Sequence, residues 1–194
     1  MLIWPSIQHP SNLKEHDSRS IPDLNHILSR HRHNRDAKAN DAKVGPTLLG
    51  CSGFWEAVKS AKLLFVFDPH LSPHLIRNIR FHLNPSSRRL QILRLIGGTQ
   101  DREKCIHLAT ELANIFQGTQ TIIECRMGME SRATPFPHDR FAITDGEFWH
   151  FGGTVGGLEP CLTAVSRGWK VSDVGAEIFF NGVWDHLAPA GGEA

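Results

Sequence analysis

The sequence predicts an α/β domain whose mixed, mostly parallel sheet is flanked by helices on both faces. Between about residues 54 and 125, short apolar runs of strand length alternate with segments whose apolar residues recur at helical spacing. The first run, 62–67, is continuously apolar, as in strands buried on both sides. A strand–helix–strand–helix–strand order is typical of parallel strands joined by right-handed crossovers.

Local signals place the first elements. Residues 54–61 are predicted to form a short helix capped by Ser52, and the strand at 62–67 follows it directly. A second helix begins after Ser72, which has a side-chain oxygen suited to capping, and Pro73 occupies its first turn.

The next elements repeat the pattern. A second strand is predicted over 90–96 and a third over 121–125, with a helix between them. That helix starts after Thr99 or Asp101 and ends at Gly118, because glycine is a common helix terminator.

The last third of the chain departs from this alternation. Residues 138–151 contain a short apolar strand that turns back at Gly146, which predicts a β-hairpin. A short helix over 160–166, a last strand over 176–180 and a closing helix over 181–187 complete the prediction.

Composition is that of a globular protein with reduced thiols. Of the 194 residues, 40% are hydrophobic and 21% charged, and the net charge is +1. No apolar run approaches the roughly 20 residues of a membrane span, and no signal-peptide core is evident, so we expect a cytoplasmic protein. The 4 cysteines are scattered, with no paired zinc-ligand spacing, which argues against a zinc site and for reduced thiols. We expect no metal and no cofactor.

The chain divides by composition into an N-terminal arm at 1–48, a globular domain at 49–188 and a loose tail at 189–194. The arm is polar and basic. It is interpreted either as an extension that lies on the surface or docks into a larger protein complex, or as a nucleic-acid-contacting arm. In the second interpretation Arg30, Arg32 and Arg35 neutralise phosphates.

The hairpin carries the residues most suggestive of chemistry. His138 and Arg140 are two positions apart, so both project from one face of an extended strand, and Asp145 follows at the turn. Gly152-Gly153 allows a close backbone approach to a ligand at the end of the return strand. An imidazole, a guanidinium and a carboxylate together suit phosphoryl chemistry.

This motif resembles the signature of the phospholipase D superfamily, His-x-Lys-x4-Asp followed downstream by Gly-Gly/Ser-x-Asn. His138, Arg140 and Asp145 fall at that spacing, with arginine in place of lysine. Gly152 to Val155 stands at the second motif, with Val155 in place of asparagine. The resemblance implies a phospholipase D-like fold over about residues 60–185.

The resemblance also implies a mechanism. His138 would be the nucleophile that attacks phosphorus or its acid–base partner, Arg140 would grip the phosphate, and Asp145 would accept a ring N–H of the histidine. Because the chain has one such motif, a homodimer would be needed to supply the second histidine. A structural ion pair between Arg140 and Asp145 is the alternative for those two residues.

Further contacts are predicted around the motif. Gly153 would donate its backbone N–H and Thr154 its hydroxyl to a phosphoryl oxygen, and Arg126 and Arg132 would extend the phosphate-binding surface. Trp149 is interpreted as a core residue rather than a stacking platform.

Two functions remain open at this point. One is a metal-independent phosphodiesterase, more specifically a nuclease, with a nucleic acid or another phosphodiester as its substrate. The other is a catalytically degenerate phospholipase D-like module that acts as a dimeric scaffold or as an anionic-ligand or nucleic-acid-binding subunit of a larger complex. The replacements at Arg140 and Val155 motivate the second.

Overall fold

The structure is a computed structural model, and it describes residues 51–87, 89–129, 140–157 and 165–187. The elements, in chain order, are α1 Cys51–Ser60, β1 Leu63–Asp68, α2 Pro73–His82, β2 Ile92–Gly98, α3 Arg102–Ile115, β3 Ile122–Met129, β4 Arg140–Thr144, β5 Glu147–Phe151, β6 Val165–Lys170, α4 Val171–Val174 and α5 Ala176–His186. None of the helices in these ranges is long and apolar enough to cross a membrane.

The strands form a single six-stranded sheet in the order β3-β2-β1-β4-β5-β6. The pairs β1–β2 and β2–β3 are parallel. The pairs β1–β4, β4–β5 and β5–β6 are antiparallel. The α/β class and the mixed sheet are therefore confirmed, but the sheet is parallel only at one end, where helices separate the strands along the chain.

Two groups of buried residues cover the two faces of the sheet. Leu64 and Val66 of β1 pack with α1, α2 and α3, whereas Phe65 and Phe67 pack with α4 and α5. Successive side chains of a strand point to opposite faces, so an uninterrupted apolar strand supplies both cores. The expectation that helices lie on both faces is confirmed.

Several local predictions are confirmed. The Ser72 hydroxyl accepts a hydrogen bond from the Leu75 amide at 3.3 Å, and Pro73 begins α2. The hairpin is present as β4 and β5, joined through Asp145 and Gly146. Helix α3 begins after Asp101, although that side chain makes no capping hydrogen bond.

The C-terminal predictions are wrong in two places. Residues 176–180, predicted as a strand, are the first half of α5, which is one helix from Ala176 to His186. Residues 165 and 166, assigned to a short helix, begin β6, a strand that the sequence did not predict.

Candidate functional site

The site lies where the parallel half of the sheet meets the antiparallel half. The chain leaves the carboxyl end of β1 towards β2 and later returns on the other side of β1 as β4. Open α/β sheets bind ligands at such a change of direction. Asp68 ends β1 and Arg140 begins β4, so the two residues lie beside each other at this point.

Asp68 and Arg140 form a buried ion pair with a long separation. The Asp68 side chain has no exposed surface, and that of Arg140 is 12% exposed. Arg140 Nε is 4.0 Å from Asp68 Oδ1, which is an ionic contact longer than a hydrogen bond. The guanidinium is therefore held near a carboxylate without being fully satisfied by it.

Asp68 also organises the backbone around it. Its Oδ1 accepts a hydrogen bond from the His70 amide at 2.8 Å, and its Oδ2 accepts one from the Val155 amide at 2.9 Å. Burial raises the pKa of the Asp68 carboxyl above its ordinary value, and the two amides and the charges of Arg140 and His70 offset this only in part. Loss of water from around the charge is the larger effect.

A glycine-rich turn after β5 lies against Asp68. Residues 155–157 make a tight turn, and the Trp55 indole N–H donates to the Gly156 carbonyl at 3.3 Å. Gly156 has φ +78°, and a Cβ added there would lie 2.4 Å from the Trp55 ring. A glycine is required at this position for both reasons.

Two buried polar atoms at this site lack a hydrogen-bond partner within the described ranges: Arg140 Nε and Thr154 Oγ1. Thr154 directly precedes Val155, whose amide binds Asp68. Buried donors without partners are rare because each costs about 1–3 kcal/mol. Both atoms could be satisfied by an acceptor oxygen of a bound ligand.

Asp145 lies away from this pair. It follows the last residue of β4, whereas Arg140 is the first, and the strand between them spans roughly 15 Å. Asp145 Oδ1 accepts hydrogen bonds from the amides of Lys62 and Leu63, each at 2.8 Å. The carboxylate thus fixes the start of β1, and the alternative of an Arg140–Asp145 ion pair is wrong: Arg140 is paired with Asp68.

Arg126 is also separated from Arg140. It lies within β3, on the face that packs against α5, while Arg140 shares the opposite face with Ala142. Its guanidinium donates to the carbonyls of Trp184 and Leu187 at the end of α5 and stacks on the Trp184 ring, 4.3 Å from its centroid. The predicted grouping of Arg126 with the phosphate site is corrected accordingly.

The remaining predicted residues have different outcomes. Gly153 and Thr154 are buried at the site, and Val155 packs into the core while its amide binds Asp68. Trp149 is fully buried, which confirms it as a core residue. The other predicted residues lie outside the described ranges: His138, Arg132, Arg30, Arg32 and Arg35.

Two contributors were missed by sequence reasoning. The sequence indicates Asp68 to His70 as a ligand-binding position, because these residues follow the carboxyl end of an apolar strand, but it assigns Asp68 no role. The role of Trp55 could not be predicted from the sequence, because its partner Gly156 is 101 positions away. No cluster of three or more histidine, cysteine, aspartate or glutamate side chains suited to a metal occurs among residues the structure describes.

No protein-family model matches the chain, and no curated protein matches it. Among solved structures, the chain is similar to one described as TrmBL2, an archaeal chromatin protein that shows a novel mode of DNA binding, with a TM-score of 0.48 and 11% sequence identity. The match covers 86% of this chain and 64% of that one, so the chain spans less than two thirds of that protein. Similarity at this level identifies neither a fold family nor a ligand.

Proposed function

We propose that this protein binds a phosphoryl group of a phosphodiester at the carboxyl end of β1, with Arg140 as the main contact. The observation that carries the proposal is the pair of buried donors, Arg140 Nε and Thr154 Oγ1, that lack a hydrogen-bond partner among the described residues. Phosphoryl oxygens are strong acceptors, and a guanidinium matches their geometry.

The electrostatics of the site support an anion. Arg140 is largely shielded from water, so its attraction for a negative group is stronger than that of a surface arginine. Asp68 would oppose an anion when ionised. Because burial raises the pKa of Asp68, its protonated form is favoured relative to an exposed aspartate, which reduces that opposition.

Binding is the function that the geometry supports best. The carboxylate of Asp145 is engaged with the backbone at the other end of β4, and Asp68 is engaged with two amides. Neither of these carboxylates is left as an evident base. We therefore propose a module that binds phosphodiesters, and nucleic acid is the phosphodiester with which the proposal is tested.

The test is binding of fluorescein-labelled single- and double-stranded oligonucleotides, measured by anisotropy in wild type, Arg140→Ala and Lys62→Ala. Loss of a charged hydrogen bond of about 1.5–3 kcal/mol predicts a roughly ten- to hundred-fold weaker Kd for Arg140→Ala. Lys62→Ala removes the same charge from an exposed side chain near the amino end of β1, and should bind within about two-fold of wild type because surface charges are well screened.

Inorganic phosphate should compete with the oligonucleotide in wild type and not in Arg140→Ala. Far-ultraviolet circular dichroism of each variant establishes that it is folded, and Arg140→Lys retains a charge if the alanine variant unfolds. Equal affinity and equal competition by phosphate in folded Arg140→Ala, or in Arg140→Lys where the alanine variant does not fold, would disprove the proposal.

A second candidate is a metal-independent phosphodiesterase, more specifically a nuclease acting as a homodimer. Its support is the sequence spacing that puts His138 two residues before Arg140. In this reaction the imidazole nitrogen would bond to phosphorus as the P–O bond to the leaving group breaks. A second histidine of the dimer would protonate that leaving oxygen, and water would then attack phosphorus as the P–N bond breaks, which frees the histidine and releases the phosphate product.

The enzyme hypothesis is tested separately, by incubating single- and double-stranded DNA and RNA with the protein in EDTA. Cleavage that persists in chelator and disappears in His138→Ala supports it. Absence of cleavage in wild type, or equal cleavage in the variant, rejects the nuclease while leaving the binding proposal to its own experiment.

A further inference from the structure

The outer face of α2 combines positive charge with an exposed aromatic ring. The helix contains two arginines and two histidines and no acidic residue. His74, Arg77 and Arg80 are exposed, and Phe81 is 83% exposed. A phenylalanine so fully in water is unusual for a residue type that dominates cores and interfaces.

These exposed residues share one side of the helix. Positions 74, 77 and 81 follow the spacing of a single helical face, and position 80 borders it. The opposite side, with Leu75, Ile76 and Ile79, is buried in the core. Over the roughly 10 Å from residue 74 to residue 81, the face is long enough to contact more than one phosphate of a nucleic-acid strand.

The Phe81 ring is supported by a second aromatic group. It meets the His82 ring edge to face, with centroids 5.3 Å apart, and His82 stacks on Trp55 with centroids 4.5 Å apart. Phe81 therefore contacts a stacked ring while most of its own surface remains open. Such a ring is a suitable stacking surface for an unpaired base.

Charge around this face is not balanced by acids. Within the described ranges, Arg77 and Arg80 form no salt bridge. Glu56 of α1 acts electrostatically on His82, but it is already paired with Lys59 at 2.6 Å. The face is consequently complementary to a polyanion.

We infer that the outer face of α2 binds single-stranded nucleic acid, with Arg77 and Arg80 contacting phosphates and Phe81 stacking on a base. This surface does not include Arg140, so the inference does not rest on the phosphoryl site. An anionic membrane is the less suitable partner, because an interfacial helix needs a broad apolar face and α2 exposes one apolar side chain.

The experiment measures the Kd of full-length protein for a labelled single-stranded oligonucleotide over a range of salt concentrations. Phe81→Ala should weaken binding about five-fold or more, because stacking on one base is worth at least about 1 kcal/mol. Its slope of log Kd against log salt should be unchanged. Ile178→Ala, which removes another apolar side chain that is 81% exposed, is the matched control on α5 and should bind as wild type does.

Substitution of the arginines should change the salt dependence of binding. Arg77→Ala/Arg80→Ala should reduce the salt slope by roughly 1.4, since each phosphate contact to a single strand contributes about 0.7. Lys62→Ala/Arg102→Ala removes two exposed positive charges elsewhere and should leave the slope unchanged. An abasic oligomer should bind wild type and Phe81→Ala equally, because it offers no base to stack.

Two results would overturn the inference. One is wild-type affinity and salt slope in both α2 variants. The other is an effect of Phe81→Ala on binding to phosphatidylserine-containing vesicles with none on oligonucleotide binding, which would identify a membrane surface instead. Weaker binding in Arg140→Ala with no effect of the α2 variants would support the proposed phosphoryl site and reject only the inference about α2.

Discussion

Asp68 connects three segments that are distant in sequence. The same carboxylate accepts the amides of His70 and Val155 and lies 4.0 Å from the Arg140 guanidinium. It therefore ties the loop after β1, the glycine-rich turn after β5 and the start of β4 to one point. A buried carboxylate with this many partners is expensive to move, because each backbone donor would be left unsatisfied.

The pKa of Asp68 predicts how stability changes with pH. Burial raises this pKa in the folded state above the ordinary value of about 3.9, so the folded protein holds the proton at pH values where the unfolded chain has released it. The contribution of protonated Asp68 is fully present below the unfolded pKa and is lost as pH rises through the folded pKa. Stability relative to Asp68→Asn, which does not titrate, should therefore fall as pH increases above about 4.

Urea unfolding of wild type and Asp68→Asn at a series of pH values measures this difference. Each pH unit between the two pKa values should remove up to about 1.4 kcal/mol from the wild type relative to the variant. A difference that is independent of pH, or that grows in favour of wild type as pH rises, would contradict the raised pKa.

The motif illustrates what residue spacing can and cannot predict. Spacing correctly placed Arg140 on a strand and Asp145 at a turn. It could not show which carboxylate Arg140 would meet, because Asp68 comes from another strand and the partnership depends on the order β1-β4 in the sheet. Five residues of extended chain are enough to separate two groups that are close in sequence.

At the level of elements, the turn at 155–157 depends on contact with α1. Trp55 bonds the Gly156 carbonyl, and its ring fills the space where a side chain on Gly156 would lie. This turn also places the Val155 amide where it donates to Asp68. Packing between α1 and this turn therefore positions the amide that binds Asp68.

We predict that Gly156→Ala destabilises the protein by roughly 2–3 kcal/mol, from the strained positive φ together with the collision with Trp55. Gly182→Ala is the matched control. Gly182 lies in α5, and an added Cβ meets nothing within 4 Å, so this substitution should stabilise by about 0.5–1 kcal/mol. Urea denaturation followed by tryptophan fluorescence measures both, and equal effects would refute the explanation.

Helix α5 shows why the C-terminal prediction was wrong. Ile178, Phe179 and Phe180 are consecutive large apolar residues, and such a short apolar stretch is typical of a buried strand. The buried residues are Ala176, Phe180 and Trp184, four apart, which is helical spacing. Ile178 is 81% exposed, so the helical pattern was hidden by an apolar residue facing water.

At the scale of the whole molecule, the sheet separates two cores that differ in origin. One lies under α1, α2 and α3 and comes mostly from the alternating part of the sequence, with additional residues from β4, β5 and the turn after β5. The other lies under α4 and α5 and depends on the misassigned C-terminal elements. Apolar segments that alternate with helical segments along the sequence identify the parallel strands and their helices. The pairing of β4, β5 and β6 depends instead on contacts between residues that are far apart in the sequence.

Three buried cysteines provide a test of whether the first core unfolds as a unit. Cys51 of α1, Cys105 of α3 and Cys125 of β3 belong to the same cluster. Burial raises the pKa of Cys51 and Cys105 to about 11 and that of Cys125 to about 12. Thiolates are the reactive form, so these groups should react with a thiol reagent at pH 8 only after the core opens.

We expect all three thiols to label at one common rate in the folded protein, slower than in urea-unfolded protein by a factor on the order of 10³ or more. Mass spectrometry of proteolytic peptides separates the three sites, and a Cys161→Ser background removes the fourth thiol. Faster labelling of Cys51 alone would show that α1 opens independently of the sheet. In that case Trp55 would leave Gly156 before global unfolding, and the turn that holds the Val155 amide against Asp68 would lose this support in a local transition rather than with the whole domain.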